Sequence, residues 1–443
     1  MEDIEAFGAR GERARLFPVL ADSSKEGRTL SIVLATLAQV PEFSGSILSA
    51  IGRRSGTRTK VEAFTEVTFP KRKGDNLRPD GLIVVSTGRS KWSAFVEAKV
   101  GSAPLKQDQI EAYLRLAKDV GVDAVLTFSN EFAPLPEHHP VQVDRRLTRS
   151  VDLLHFSWFS ILTTINLLAI NDEIADEDHV FLLRELERFL LHPSAGLKRF
   201  DNMGAEWTAL LDHLRTGGTI SKNSPEALAV VSNWHSELRD LCLLLSRKTG
   251  ATAELKLSPK HRSDPRERIQ QDIKHLADKC HLTGTILVPD AAAPIDVEAD
   301  LNTRTIRVSM KVDAPQDKAQ QRSRLNWLTR QLKDVDGADV HIKTNWPGRV
   351  AQTSSTLAEA RDDDTVHVHP DRSVVPTSFV VMKMVAEGRR FAGRKTFVEA
   401  LEDLVVNDFY GSVAQCLTAW RAPAPKLRAA VDEGESDFVD AEG

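Results

Sequence analysis

Three residues, Asp80, Glu97 and Lys99, have the types and the spacing that a hydrolytic site requires. Asp80 precedes an apolar run, 81–85, while Glu97 and Lys99 lie near the end of a second run, 92–100, with turn residues between the two runs. Such a pattern is typical of a β-hairpin. Because side chains alternate along a strand, Glu97 and Lys99 are expected to share one face.

The turn of this hairpin determines which residues lie opposite one another. If Gly88-Arg89 forms a two-residue type II′ loop, with Gly at its first central position, residue 87 pairs with residue 90. The same register, continued outward, places Asp80 opposite Glu97. Directly opposed residues have Cβ atoms roughly 4.5–5.5 Å apart on one face, whereas a shift by one residue would separate them.

Two carboxylates at that separation favour a bound cation, because they repel each other unless positive charge lies between them. Oxygen ligands with free positions suit Mg²⁺ or Mn²⁺, which keep several waters and also bind phosphates. Lys99 could hold an attacking water or stabilise the negative charge that develops on a phosphate. The residues therefore predict metal-dependent hydrolysis of phosphodiester bonds.

The same stretch resembles a known family. Pro79-Asp80 followed by Glu97-Ala98-Lys99 is similar to the motif of the PD-(D/E)XK nuclease superfamily, which is Pro-Asp, a gap, then Asp or Glu, any residue and Lys. Gln109 and Tyr113 resemble the Gln-x-x-x-Tyr motif that several branches carry on the helix after the core strands. The resemblance extends from about residue 24 to residue 160.

The resemblance implies a fold, a cofactor and a role for each residue. The fold is α/β, with a restriction-endonuclease-like mixed sheet flanked by helices. Asp80, Glu97 and the main-chain carbonyl of Ala98 would bind Mg²⁺ or Mn²⁺. Lys99 would position or activate water, and Gln109 would assist. The implied protein is a Mg²⁺-dependent deoxyribonuclease, and analogy suggests a role in host defence or restriction.

Two further carboxylates are candidates for the same site. Glu26 lies at the start of a helix predicted from Ser24, and a Glu on the first helix often completes the metal site in this superfamily. The alternative is a first-turn carboxylate that the helix dipole favours. Glu66 lies in a strand predicted over 61–69 and is a secondary metal-site candidate, with a solvated strand face as the alternative.

Gln109 and Tyr113 are four residues apart and share one face of a helix predicted over 106–120. Their functional interpretation is contact with substrate backbone or a catalytic water, and their structural interpretation is helix surface and core edge. Gln107 is the competing glutamine if the register differs. The neighbouring pair His138-His139, in a proline-rich loop, is expected on the surface rather than in a ligand set.

The chain divides most clearly at Gly217-Gly218 and 221–225, which are rich in turn residues. Before that boundary, a helical crossover from the hairpin to a strand over 122–128 predicts a parallel βαβ step. The predicted parts are a nuclease-like domain (1–160), a helical extension packed on it (161–218), an α+β domain of unassigned fold (225–425) and an acidic flexible tail (426–443).

The charge distribution is uneven. A formal charge of −5 over 443 residues argues against a general binder of polyanions. Basic clusters before the proposed site, such as Arg53-Arg54 and Lys71-Arg72-Lys73, predict a face that binds nucleic acid: DNA or, as the alternative, RNA. Basic residues of the α+β domain indicate a docking surface for nucleic acid, a protein partner or a second copy, or an ordinary solvated surface.

Cysteine usage and hydropathy predict a cytoplasmic protein. The three cysteines are far apart and fit neither a disulfide framework nor a zinc pattern. The first residues lack the pattern of a secretory signal, and no apolar run has the length of a membrane span.

The alternative to an enzyme is a non-catalytic nuclease fold that binds nucleic acid or a protein partner, although an intact Asp, Glu and Lys argue against it.

Overall fold

The computed structural model of the protein describes residues 2–17, 25–69, 77–171, 174–363 and 365–422. The predicted acidic tail over 426–443 and the basic cluster Lys71-Arg72-Lys73 lie outside the described residues. The predicted candidates Asp80, Glu97 and Lys99 lie within them.

The N-terminal part is built on a six-stranded sheet. Its strands are β1 (Arg10–Arg13), β2 (Thr59–Thr68), β3 (Gly81–Thr87), β4 (Ser90–Ala98), β5 (Ala124–Ser129) and β6 (Asp152–Ser157). They lie side by side in chain order. The pairs from β1 to β4 are antiparallel, whereas β4, β5 and β6 are parallel. The predicted mixed sheet with a parallel step after the hairpin is therefore confirmed.

Helices cover both faces of this sheet. They are α1 (Glu2–Glu5), α2 (Lys25–Gln39), α3 (Pro41–Ala50), α4 (Gln107–Val120), α5 (Trp158–Ile170) and α6 (Glu177–Leu191). Ile83 and Val85 pack in one core with α2, α5 and α6, while Leu82 and Val84 pack in another with α4. Because both faces are buried, consecutive residues of the hairpin strands are buried, from Gly81 to Val85 and from Trp92 to Ala98. The α/β class with flanking helices is confirmed.

The helices of the segment 161–218 divide between two cores. Helices α5 and α6 pack on the first sheet. A further helix, α7 (Ala205–Arg215), instead contributes Trp207 to the C-terminal core, where its ring lies 4.4 Å from that of Phe397, centroid to centroid. Trp207 Nε1 also donates to the carbonyl of Phe391 (3.0 Å). This segment therefore connects the two parts of the molecule.

The C-terminal part contains a seven-stranded antiparallel sheet. Its strands are β7 (Glu254–Leu255), β8 (His281–Leu287), β9 (Ile295–Asp300), β10 (Thr305–Asp313), β11 (Val340–Asn345), β12 (Thr353–Thr356) and β13 (Ser378–Ala386). Their order across the sheet is β12-β11-β13-β10-β9-β8-β7. Buried and accessible residues alternate along β10, so one sheet face is packed and the other is open to solvent.

Helices flank this second sheet, and most of them contribute buried residues to its core. They are α8 (Pro225–Thr249), α9 (Pro259–Ser263), α10 (Pro265–Lys279), α11 (Gln321–Gln331), α12 (Leu357–Asp362) and α13 (Arg394–Glu402), which continues into a π-helical segment, Asp403–Tyr410. Within the described residues no single helix has the length and apolar character to cross a membrane, although the bent pair α2 and α3 meets that test jointly. The three cysteines are free thiols.

Candidate active site

The β3–β4 hairpin has the register that the sequence predicts. Thr87 pairs with Ser90 and Gly81 pairs with Val96. Gly88 has a φ of 62°, a left-handed value that glycine adopts without strain and that the first position of this turn requires. One step beyond the last pair, Asp80 lies opposite Glu97.

Asp80 is half-buried just before β3. Its Oδ2 accepts a hydrogen bond from the backbone N–H of Ala98 (2.9 Å), which fixes the carboxylate against the end of β4. Burial, followed by the charge of Glu97, raises the pKa of Asp80 to about 7. A carboxyl group with such a pKa gains much from a nearby cation, because a cation favours its ionised form.

Glu97 is the most buried member of the group, with 1% of the residue exposed. Its Oε1 accepts a hydrogen bond from Lys99 Nζ (2.6 Å). Its Oε2 is buried and has no hydrogen-bond partner among the described residues. A buried carboxylate oxygen without a partner is costly, so this atom marks a position where a cation or a polar ligand would be stabilised.

Lys99 is held by three acceptors. Besides Glu97, its Nζ donates to the carbonyl of Ala98 (3.0 Å) and to Glu26 Oε2 (3.4 Å). Burial opposes the charged ammonium, but the hydrogen bond and charge of Glu97, followed by the charges of Asp80 and Glu26, raise the pKa of Lys99. The side chain is therefore a fixed positive charge at neutral pH.

Glu26 lies on α2, which packs on the face of the first sheet opposite to α4. It lies in the first turn of α2, and its side chain, 37% exposed, reaches Lys99 past the end of the sheet. In the described part of the chain, the carboxylates of Glu26, Asp80 and Glu97 do not all lie within 4.8 Å of one another. Glu26 thus joins the group through the lysine, and its role as a metal ligand stays a prediction.

Gln109 also joins the group indirectly. Its Nε2 donates to the hydroxyl of Tyr113 (3.1 Å), and that hydroxyl donates to the carbonyl of Arg78 (3.0 Å). Burial, followed by the charge of Glu97, raises the pKa of Tyr113. Gln107 instead donates to Glu111 (3.0 Å) on the exposed side of α4. Gln109 is therefore the glutamine on the side of the helix that faces the hairpin.

Glu66 and the pair His138-His139 make contacts that differ from those the sequence predicts. The side chain of Glu66 is 54% exposed and accepts a hydrogen bond from Arg78 (2.9 Å), so it binds that arginine rather than the group around Glu97.

The expectation that His138-His139 lies on the surface is wrong. His138 is 5% exposed and its Nε2 lies 2.7 Å from the carbonyl of Arg262, while His139 Nε2 lies 2.9 Å from Thr127 Oγ1. Their loop is packed against the first sheet and α9.

Trp158, which sequence reasoning missed, positions Lys99. Its Nε1 donates to the carbonyl of Lys99 (2.7 Å), and the N–H of Lys99 donates to the carbonyl of Phe128 (2.8 Å). Both bonds hold the backbone after β4 on the side of the parallel strands. The contacts depend on the packing of distant segments, and no local pattern around Trp158 indicates them.

A second polar surface lies on the open face of the C-terminal sheet. A groove of about 660 Å³ is lined by Lys256, Lys311 and Lys343, among other residues. Lys311 and Lys343 both pair with Val380 on the strand between them. They therefore share one face, roughly 9.5 Å apart along the hydrogen-bonding direction. Three acids, Asp272, Asp296 and Glu298, line the same groove, as do Arg268 and Arg307.

Comparisons with known proteins do not assign the chain to a family. A scan against protein-family models found no match, and a search of curated proteins found no significant match.

Proposed function

We propose that the protein is a divalent-metal-dependent nuclease that hydrolyses phosphodiester bonds of DNA, and that its N-terminal part has the restriction-endonuclease-like fold. One observation carries the proposal. Asp80, with a pKa of about 7, lies opposite a buried Glu97 that has one oxygen without a partner, beside a fixed ammonium group. A hydrolytic site for phosphates needs this combination of ligand oxygens and positive charge.

The donor set fits Mg²⁺ or Mn²⁺. Asp80, Glu97 and the carbonyl of Ala98 would hold the ion, and the unpartnered Glu97 Oε2 supports this set. When bound, the ion would neutralise charge on the phosphate and lower the pKa of water. Oxygen ligands in this number leave positions for water and phosphate, as these ions require.

The residues of the chain supply position and charge. Lys99 is oriented by Glu97 and Glu26 through its ammonium and by Trp158 through its backbone. These two carboxylates and the carbonyl of Ala98 use all three N–H donors of the ammonium, so release of the longest bond, to Glu26 (3.4 Å), would let it donate to an attacking water or a phosphate oxygen. Asp80 is fixed by the N–H of Ala98, so its carboxylate and that of Glu97 keep their relative position.

The lysine-lined groove supports a polyanionic substrate. Lys256, Lys311 and Lys343 place positive charge on one open sheet face, where phosphates of a nucleic acid strand would displace counterions. We propose DNA as the substrate and make RNA an arm of the test. We also propose a role in defence or restriction. We further propose that the C-terminal part binds a protein partner or a second copy of the chain. Only the sequence supports these two proposals.

The test is cleavage by the purified full-length chain. Circular DNA, linear DNA and RNA are incubated with Mg²⁺, with Mn²⁺ or with EDTA. Cleavage of DNA is expected only with metal and is expected to be lost in Asp80→Ala, while Asp108→Asn, which changes an exposed carboxylate beside Gln109, keeps it. Retained cleavage in a clean Asp80→Ala preparation would contradict the assignment. Binding of DNA without cleavage in every metal would favour the non-catalytic scaffold.

A further inference from the structure

A second group of carboxylates lies in the C-terminal part, away from the hairpin. Glu237 and Asp240 project from α8, and Glu402 ends α13. One ligand oxygen from each lies within 4.8 Å of the others. Glu237 and Asp240 are fully buried, whereas the side chain of Glu402 is 22% exposed.

Arg199 satisfies only part of this group. Its guanidinium donates to Asp240 Oδ2 (3.0 Å) and to Glu402 Oε1 (2.7 Å). The other Asp240 oxygen, Oδ1, and both oxygens of Glu237 are buried and have no partner among the described residues. Three enclosed carboxylate oxygens are thus left without a donor, although a buried unpaired carboxylate is among the costliest groups in a folded protein.

The charge balance indicates what is missing. Three carboxylates and the Arg199 guanidinium carry a net charge of −2 when the acids are ionised, and the charge of Arg239 acts on Asp240 after those of Arg199 and Glu402. Two more acids, Asp201 and Glu399, add negative charge near Glu402. A single divalent cation would balance the inner group, and its ligand oxygens would be the ones that Arg199 does not use.

We propose that Glu237, Asp240 and Glu402 bind one divalent cation of the size of Ca²⁺. Oxygens bound to Ca²⁺ at about 2.3–2.6 Å lie up to roughly 5 Å apart, so three atoms within 4.8 Å of one another fit around one such ion. Ca²⁺ also accepts irregular sets of oxygen ligands, whereas Mg²⁺ demands a near-ideal octahedron. The ion would link α8 to α13 beside Arg199, and its function would be structural and independent of the hairpin site.

The competing occupant is a proton. Burial, followed by the charge of Asp240, raises the pKa of Glu237 well above its usual value, so a protonated Glu237 could donate to Asp240. A shared proton would satisfy one oxygen of each residue and would leave the group indifferent to calcium. The experiment therefore has to distinguish calcium uptake from protonation.

The test is calorimetric titration of the full-length chain with CaCl₂ at pH 7.5. An Asp80→Asn/Glu97→Gln background removes the carboxylates of the hairpin, so that only the second group can respond. We expect one Ca²⁺ per chain and a higher Tm in CaCl₂ than in EDTA. Adding Glu237→Gln is expected to weaken calcium binding at least about tenfold, since a charged ligand is lost.

Two controls make the outcome decisive. Glu399→Gln changes an exposed acid on α13 and is expected to leave calcium affinity within about threefold, because its charge is screened. Glu402→Gln changes the most exposed of the three ligands, so it tests the site even if Glu237→Gln does not fold by circular dichroism. Absence of calcium uptake at millimolar concentration, or uptake that neither ligand variant weakens, would overturn the proposal and assign the group to a shared proton.

Discussion

The two buried carboxylate groups of this protein contain similar residues in different surroundings. At the end of the hairpin, Glu97 is enclosed, but Asp80 and Glu26 are partly accessible, so a substrate could approach the lysine between them. In the C-terminal group, Asp240 and Glu237 are enclosed by helices and only Glu402 is partly accessible. The proposed catalytic role therefore belongs to the group that a substrate could reach, and the proposed structural role to the group that helices enclose.

The largest effect is expected for Lys99→Ala. Removing a fixed charge that acts on the reacting phosphate should lower the rate of DNA cleavage by about 10²–10³-fold. Lys106→Ala, which changes an exposed lysine just before α4, is the matched control and should stay within about twofold of wild type. Rates are measured on circular DNA with saturating Mg²⁺. A Lys99→Ala rate within tenfold of wild type would place the chemistry elsewhere.

Arg199→Ala tests the C-terminal carboxylate group, because Arg199 contacts Asp240 and Glu402. It leaves a buried acid, Asp240, without its cationic partner, and because the Arg199 side chain is 38% exposed the cost should be about 1.5–3 kcal/mol, below that of a fully buried pair. Urea denaturation of the calcium-free protein measures this loss, while the cleavage rate per folded molecule should be unchanged. Arg188→Ala, at an exposed pair with Glu185, should change the unfolding free energy by less than about 0.5 kcal/mol. A cost for Arg199→Ala no larger than this would mean that the acids are neutral in the native protein.

The sequence predicts a carboxylate group only as far as its contacts are local in the chain. The hairpin register depends on one turn, Gly88-Arg89, and on strand alternation, so the approach of Asp80 to Glu97 was predictable. The approach of Glu26 and the bond from Trp158 to Lys99 depend on how helices pack, which no nearby residue encodes.

The C-terminal group shows the same limit more strongly. Glu237 and Asp240 are three residues apart, so they share a helix face. Glu402 and Arg199 are far away in the sequence and reach that face only through the fold of the whole C-terminal part. A pair of acids on one helix turn is common on solvated surfaces, so no local pattern distinguishes this pair.

The stability of the metal-free protein should depend on pH through two carboxyl groups, because burial raises the pKa of Asp240 to about 7 as it does that of Asp80. The folded-state pKa of Asp80 is about 7 and its ordinary value is 3.8, so between these values the native state holds a proton that the unfolded state has lost. Raising the pH through that window should therefore destabilise the metal-free protein, and Asp80→Asn should remove its share of this dependence while the share of Asp240 remains.

Metal binding should follow the same titration in the opposite direction. A metal must displace the proton from Asp80, so Mn²⁺ affinity should fall about tenfold for each pH unit below about 7. Calorimetric titrations with Mn²⁺ at pH 6, 7 and 8 measure this, with Glu237→Gln present to silence the second group. Equal affinities at pH 6 and 8 would show that Asp80 is not a ligand.

The lysines of the open sheet face should affect binding rather than chemistry. In Lys311→Ala/Lys343→Ala, the slope of log affinity against log salt should become shallower by about 1.4–1.8, since each lost phosphate contact removes roughly 0.7–0.9. Fluorescence anisotropy of labelled DNA with an Asp80→Asn background measures it. Lys395→Ala, which removes an exposed lysine on α13, is the control. An unchanged slope in the double variant would assign this face to solvent.

The smallest effect is expected for the two glutamines of α4, which form a matched pair. Gln109 reaches the hairpin only through Tyr113, so Gln109→Ala should slow cleavage by several-fold, about the loss of one hydrogen bond of roughly 1 kcal/mol. Gln107→Ala removes a bond to Glu111 on the exposed side and should be neutral. Tyr113→Phe should reproduce the Gln109→Ala rate if the glutamine acts by orienting that hydroxyl. A much larger loss for Gln109→Ala than for Tyr113→Phe would instead mean that Gln109 contacts the substrate or its water directly.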